Sequence, residues 1–489
     1  MEVAIIKKTL FVIIFICLLF TGFLQIQAKN HDSLSFSLDE IIKKSIVSNR
    51  IPGIAVSAAQ NGEIVYTRGF TGSWSRSGEK ISTDTLFYIG SISKSFTALG
   101  IMQLVEAGLI DLDNSVQEYI TDFQVDDNGF DGMITIRHLL HHRSGLTEKE
   151  YFNDLPADLS IEAGVKDLYG MRLSYNPGDR FSYFNPNYNI LGLVIEKVSG
   201  QSYENYLTEN ILQPLEMFNT YLNKDDAAGV VSGHGAVFSI PIKRDEKFKV
   251  YNLPSGYIVS NINDMSNYLL YQLSGEFKGR QLLSEDFFEI LHLPYEGEQG
   301  YGMGWNKGTK FDQKLVEHGG SLFNYSANMA LLPDSETGVV VLINQNHFIY
   351  NIISNNQLVD NILKFMIDPG ILADELSVIP LGNIFLVIII IAFITIIKEI
   401  YELINLNKWA QKFEVKSRFR IYLDIILDFL IPGVLLMGIP LIIMNLLDRV
   451  LSFGIALNLM PGVFSWLIII SLCSLVRGVL KVIISIKSN

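Results

Sequence analysis

Apolar and polar positions change rhythm several times between residues 35 and 365, and the order of those changes predicts the architecture. Ser37 to Asn49 carries a cap-like serine, acids at Asp39 and Glu40, and apolar residues at Leu38, Ile41, Ile42 and Ile46, the spacing of an amphipathic helix. Two short runs, GIAVSAAQ and EIVYTRGF, then flank Asn61-Gly62, a strong hairpin signal. A second hairpin is expected near the far end, where ANMALLP and GVVVLINQ flank Asp334-Ser335-Glu336-Thr337. Between them the spacing turns mostly helical, as in NYNILGLVIEKVSG and DMSNYLLYQLSG, both closed by glycine. Strands from both ends and helices from the middle predict an α/β (α+β) class, with one antiparallel sheet and a helical insertion packed on it.

The ends read differently. Residues 1–28 have Lys7 and Lys8, an apolar run from Leu10 to Leu24, and Ala28, the pattern of a cleavable secretory signal, with an uncleaved anchor as the rival reading. Residues 29–375 then form the exported domain. Three apolar stretches follow within residues 379–489, at about 379–397, 421–447 and 463–480, each long enough to cross ~30 Å of hydrocarbon as a helix. The loop between the first two carries Lys398, Lys408, Lys412, Lys416, Arg418 and Arg420, whereas the loop Asp448 to Gly462 carries Arg449 alone. Positive residues mark the inner side, so the expectation is a multi-pass protein of the cell membrane with its large domain and Asn458 outside and its C-terminus inside. Asp424 and Asp428, one turn apart at the start of the second stretch, are expected to pair with Arg418 and Arg420 at the interface.

Charge narrows the partners. The net charge is −13; removing +4 for residues 381–489 and +1 for residues 1–28 leaves −18 for residues 29–380. So acidic a domain is not built to bind nucleic acid. Cys17 and Cys473 both fall in the apolar end segments, so the exported domain folds without disulfides and relies on core burial.

Candidate chemistry centres on Ser91-Ile92-Ser93-Lys94, which opens the apolar run SISKSFTALGIMQLVEAGLI. Residues i and i+3 of a helix share a face, so Lys94 can reach the Ser91 hydroxyl, and unpaired N–H groups at a helix start favour an oxyanion there. Ser77-Gly78-Glu79-Lys80 has the same spacing but lies in a polar, turn-like stretch; Ser91 follows a strand-like Thr85-Leu86-Phe87-Tyr88-Ile89 and Gly90. Tyr183 and Asn185, two positions apart in FSYFNPNYN, would point the same way and offer a phenol and an amide, although Tyr-x-Asn also occurs at Tyr151 and Tyr203. His318-Gly319-Gly320-Ser321 follows strand-like QKLVE, where glycine lets a ligand lie along a strand and Ser321 N–H can supply a second oxyanion donor. His138, His141 and His142 have no acidic or Cys partner at ligand spacing, so no metal and no cofactor is expected.

These elements, in this order, resemble the serine β-lactamase and penicillin-binding-protein-like family, in its class C β-lactamase, DD-carboxypeptidase and esterase branch. Further stretches share the likeness: ITIRHLLHHRSGL, NPGDRFSYFNPNYNILG, GYIVSNINDMSNYL and YGMGW. The resemblance implies a β-lactamase/transpeptidase-like fold over about residues 35–365, with the three apolar helices outside it. It implies Ser91 as nucleophile, Lys94 and Tyr183 sharing base and acid duty, Asn185 holding the substrate amide, and His318, Gly320 and Ser321 forming the opposite wall. Activity on D-amino-acid peptides, amides or esters, including peptidoglycan-derived ones, is the expectation, with an acylated β-lactam or muropeptide sensor and a true β-lactamase as alternatives. Lysine is usual at the His318 position in β-lactamases proper; a histidine, neutral near pH 7, should hold a penicillin carboxylate weakly, and more strongly in acid. Asn324 stands where a glycine is often found.

Overall fold

Both residues of the Asn61-Gly62 turn adopt left-handed backbone, φ 53° and 77°, the geometry that joins two twisted strands through two residues. The computed structural model describes residues 34–75, 78–148, 155–347, 356–371, 375–411, 418–438 and 461–487. The leader at 1–28, Ser77, Tyr151, Lys412, Lys416, residues 439–447 of the second apolar stretch and most of the loop after it lie outside the described residues.

Helix α1 (Leu34–Asn49) precedes strands β1 (Gly53–Gln60) and β2 (Glu63–Thr71). Next come β3 (Phe87–Tyr88), a single 3-10 turn at Gly90–Ile92, and α2 (Ser93–Glu106). The middle contributes α3 (Pro186–Ser199), a hairpin of β4 (His234–Val237) and β5 (Ile240–Lys243), then β6 (Val259–Ser260) and α4 (Ile262–Ser274), with short helices between. Strands β7 (Gly300–Tyr301), β8 (Asn306–Lys310), β9 (Gln313–Ser321), β10 (Ser326–Leu332) and β11 (Thr337–Ile343) lead to α5 (Asn356–Ile367). Three long apolar helices follow: α6 (Leu381–Ile404), α7 (Arg418–Gly433) and α8 (Pro461–Lys487).

The main sheet is antiparallel, in the order β2-β1-β11-β10-β9-β8-β7. Its central strands are buried on both faces, which is why ANMALL and GVVVLI read as unbroken apolar runs. Ala55, Met329, Val340 and Leu342 face the helical insertion, in one core with Phe96, Leu191 and Tyr268. Ile54, Val56, Val339, Val341 and Ile343 face the other way, against Leu38, Ile41 and Ile42 of α1 and Ile362 of α5. The sequence led to one covered face; α1 and α5 supply the second cover. Helix α1 already includes Leu34, ahead of the expected cap at Ser37, and Leu34 lies one turn before Leu38 on the same apolar stripe and packs against this core.

This second core reaches the apolar helices. Leu381 and Phe385 of α6 are 3% and 2% exposed within it, and a fully buried side chain of this kind contributes roughly 2 kcal/mol. Lys44 Nζ also donates to Leu376 O at 2.9 Å, and Asn361 Nδ2 to Ser377 O at 2.9 Å, so the connection into α6 is held against α1 and α5.

Among the described residues, three helices are long and apolar enough to cross a membrane: Leu381–Ile404, Phe419–Gly438 and Pro461–Ile486. The first and last run past the expected ends at 397 and 480. Charges near those ends are paired: Lys398 with Glu402 one turn further along α6 at 3.4 Å, Arg477 of α8 with Glu399 and Glu402 of α6 and with Asp428 of α7, and Lys481 with Asp428 at 2.7 Å. Asp428 therefore pairs with the last helix, and Asp424 accepts from Trp409 Nε1 at 3.3 Å, while the side chain of Arg418, one of the two arginines expected to pair with these acids, lies outside the described residues.

Candidate active site

Ser91 sits inside the 3-10 turn that runs directly into α2, two residues before the first residue of the regular helix. The strand-like run before it pairs at Phe87 and Tyr88 with Ser260 and Val259 in a small separate sheet, with Leu86 bridging Val230 and Ile89 N donating to Ile258 O at 3.0 Å on either side. What positions the serine is a close backbone approach to β9. Strand β8 pairs with β9 only as far as Glu317, so His318 to Ser321 form a local edge. Gly90 packs there with φ 56°; a Cβ on it would fall 2.5 Å from Ser321 N, and a Cβ on Gly320 would overlap Ile89 O. Ser93 Oγ locks the turn, donating to Gly90 O at 2.7 Å and accepting from Ile258 N at 3.2 Å.

Lys94 is 0% exposed. Its Nζ donates to Ser91 Oγ at 3.0 Å, Asn185 Oδ1 at 2.7 Å and Ser255 O at 2.5 Å. It also lies 5.0 Å from the centroid of the Tyr183 ring. Ser91, Lys94, Tyr183 and Asn185 thus converge on one amine. Phe184 between the last two is fully buried, which turns its neighbours the other way. Asn185 leads into α3 with helical backbone and makes no capping bond, so its amide is spent on the site. The Tyr203 of the other Tyr-x-Asn triplet is buried against Thr97 and takes no part.

Two contributors escaped the sequence reading. The Ser255 carbonyl lies one residue before the GYIVSNINDMSNYL stretch that drew attention. His142 supports the tyrosine: its Nδ1 accepts from Phe184 N at 3.2 Å, and its ring lies 4.3 Å from that of Tyr183. The neighbouring rings are also structural. His138 closes a capping box with Thr135, and His141 Nδ1 donates to Tyr301 O at 3.1 Å.

The opposite wall differs from expectation at His318. Its ring is buried, with Nδ1 2.8 Å from Gly319 O and Nε2 3.0 Å from Tyr301 Oη. A carbonyl can only accept, so Nδ1 carries the proton and Nε2 accepts from the tyrosine. Burial, and then the positive charge of Lys94, pushes His318 down to about 3. The ring stays neutral in mild acid, and the expected acid-strengthened grip on a carboxylate loses its basis. A lysine in its place would bring a second ammonium close to Lys94. Ser321 is exposed, and its Oγ accepts from Asn346 Nδ2 at 2.7 Å. Asn324, where glycine is usual, is fully buried and donates from Nδ2 to Arg244 O at 2.8 Å, fastening the turn after the wall to the β4–β5 hairpin.

Comparison with known proteins places this geometry. A family model described as Beta-lactamase matches residues 38–363. Protein flp of Staphylococcus aureus (strain MW2) is 30% identical over 327 residues, 63% of each chain, so the match spans less than two-thirds of that relative. Unguisins hydrolase ungD' of Aspergillus campestris is 26% identical over 341 residues, 65% of this chain and 62% of its own. Among solved structures, the octameric penicillin-binding protein homologue from Pyrococcus abyssi is similar with a TM-score of 0.60 and 28% identity, covering 69% of this chain and 78% of that one. A class C beta-lactamase shares the fold at a TM-score of 0.58 and 21% identity, covering 70% and 98%. With well over half of its length inside the family match, the chain belongs to the Beta-lactamase family of serine hydrolases.

Proposed function

We propose that the chain is a membrane-anchored extracytoplasmic hydrolase that forms an acyl-enzyme on Ser91 from D-amino-acid peptides, amides or esters, and that it serves cell-wall metabolism. The observation that carries this reading is the buried Lys94 amine, 3.0 Å from Ser91 Oγ. In its neutral form Lys94 takes the hydroxyl proton as Oγ attacks the carbonyl carbon. The C=O pair moves onto oxygen, where the N–H groups of Ser91 and Ser321 receive the charge. Tyr183, beside Lys94, returns a proton to the leaving nitrogen or oxygen as the tetrahedral intermediate collapses. Asn185 orients both Lys94 and the substrate amide. Water then attacks the ester by the same route in reverse.

Ser91→Ala should abolish ester hydrolysis and covalent labelling by a fluorophosphonate while leaving the thermal transition in place; retained hydrolysis would refute the assignment. The anchoring rests on the lysine and arginine bias of the loops: reporter fusions after Lys412 and Asn489 should read cytoplasmic and one near Asn458 external. A sensor that is acylated without turnover is a second reading, favoured by the core shared between the sheet and α6. Rapid deacylation excludes it. The neutral, internally bonded His318 weighs against penicillin as the preferred substrate.

A further inference from the structure

The β4–β5 hairpin lies outside the proposed chemistry, and its two ends touch two different parts of the molecule. At its tip, Phe238 meets the first turn of α8: a Cβ on Gly462 would fall 2.7 Å from Phe238 N and from its ring. Phe238 and Val463 also pack against the core that holds Leu381 and Phe385 of α6. Ser239 accepts from Arg50 Nη1 at 2.8 Å, while Gly382 of α6 packs against Arg50 and Ser48 O. The tip therefore stands level with the outer ends of two candidate spans.

At its base the hairpin holds the turn that follows the active-site wall. His234 N donates to Asn324 O at 3.2 Å, and Asn324 Nδ2 donates to Arg244 O at 2.8 Å. The Arg244 guanidinium covers the Phe323 ring, 4.9 Å from its centroid. Phe323 is two residues from Ser321.

Exposure follows this placement. On β5, Pro241 points inward while Ile240 and Ile242 face out, 36% and 49% exposed. Val47, one residue before Ser48, is 74% exposed, and Phe323 is 38% exposed. Lys243, Arg244, Lys247 and Lys249 follow the isoleucines with Asp245 and Glu246 among them, so a segment of net charge +2 adjoins the apolar tips, a composition suited to a lipid headgroup layer.

We propose that Ile240 and Ile242 insert into the outer bilayer surface, and that this seats the Ser321 edge of the active site beside the headgroups, so that the preferred substrates are amides or esters carried by amphiphiles resident in that leaflet. The proposal rests on the membrane-anchored hydrolase reading. The occupant of the apolar face is the bilayer because the face is continuous with the ends of α6 and α8, which enter the same membrane.

The test uses the full chain in phosphatidylglycerol-containing vesicles, with Cys17→Ser and Cys473→Ser as background. A bimane label on Ile242→Cys should be quenched by brominated lipids, whereas the same label on Leu109→Cys, 55% exposed just beyond the end of α2, should not. Ile240→Asp with Ile242→Asp should slow hydrolysis of a long-chain, vesicle-inserted ester about tenfold and leave a short water-soluble ester within about twofold, as expected for losing two inserted apolar side chains. An unquenched label at 242 would overturn the proposal, as would equal loss, or no loss, on both esters. If the soluble ester is not turned over by the unaltered chain, the hydrolase reading fails, and the quenching result still decides the membrane contact.

Discussion

Lys94 and Arg477 are both buried cations, but the first meets three oxygens without formal charge and the second meets three carboxylates. Around Lys94 the acceptors include a hydroxyl, an amide and a backbone carbonyl. An amine in such a shell can hand over or receive a proton without leaving a buried counter-charge behind, which suits a group that must do both in one turnover. Around Arg477 the acids come from α6 and α7, and a guanidinium stays charged in proteins. That arrangement ties three helices together and moves no proton. The surroundings of a buried cation, more than its burial, separate a chemical role from an architectural one.

The sharpest way to break this comparison is to remove each charge. Lys94→Met should lower ester hydrolysis by about three orders of magnitude, the range of a lost general base, with folding largely kept because no carboxylate among its three acceptors is stranded. Arg477→Met should do the reverse. It removes the cation shared by Glu399, Glu402 and Asp428, leaving Lys481 on Asp428 and Lys398 on Glu402, and removing one partner of such a cluster costs about 3–5 kcal/mol, so the yield of full chain should fall while hydrolysis per labelled molecule holds. A Lys94→Met protein that keeps its rate, or an Arg477→Met protein that loses rate but not yield, would invert the two roles.

A smaller effect comes from the histidines. Burial holds His292 down to about 3 and His141 to about 4, as it holds His318. From about pH 6.5, the ordinary value, down to about 4, the unfolded chain binds protons that these folded rings refuse. Their contribution to stability is full above that window and shrinks as pH falls through it. Glu246 and Glu317, raised by burial, pull the other way. His292→Asn should therefore reduce the loss of Tm between pH 7.5 and 5 relative to the unaltered chain; a larger loss in the variant would contradict the burial of that ring.

What could be read from the sequence was what depends on near neighbours. Asn61-Gly62 dictates its own turn, and the three-residue interval from Ser91 to Lys94 brings amine and hydroxyl together through local backbone alone. The Tyr183 and Asn185 pair was legible for the same reason, since alternation around a buried Phe184 needs no distant partner. Contacts between remote segments were not legible. The second cover of the sheet, the Ser255 carbonyl and the inward turn of His318 each depend on a residue far along the chain, Tyr301 in the last case. Nothing near Arg477 in the sequence marks its role, because its three carboxylate acceptors lie on two other helices.

The central claim is that Ser91 is acylated with Lys94 as its partner. Mass spectrometry of the peptide carrying Ser91, Ser93 and Ser95 after brief exposure to a fluorophosphonate tests it directly. The account predicts a single adduct on Ser91, formed far more slowly in Lys94→Met; an adduct on Ser93 or Ser95, on Ser77, or at an unchanged rate in that variant would contradict it.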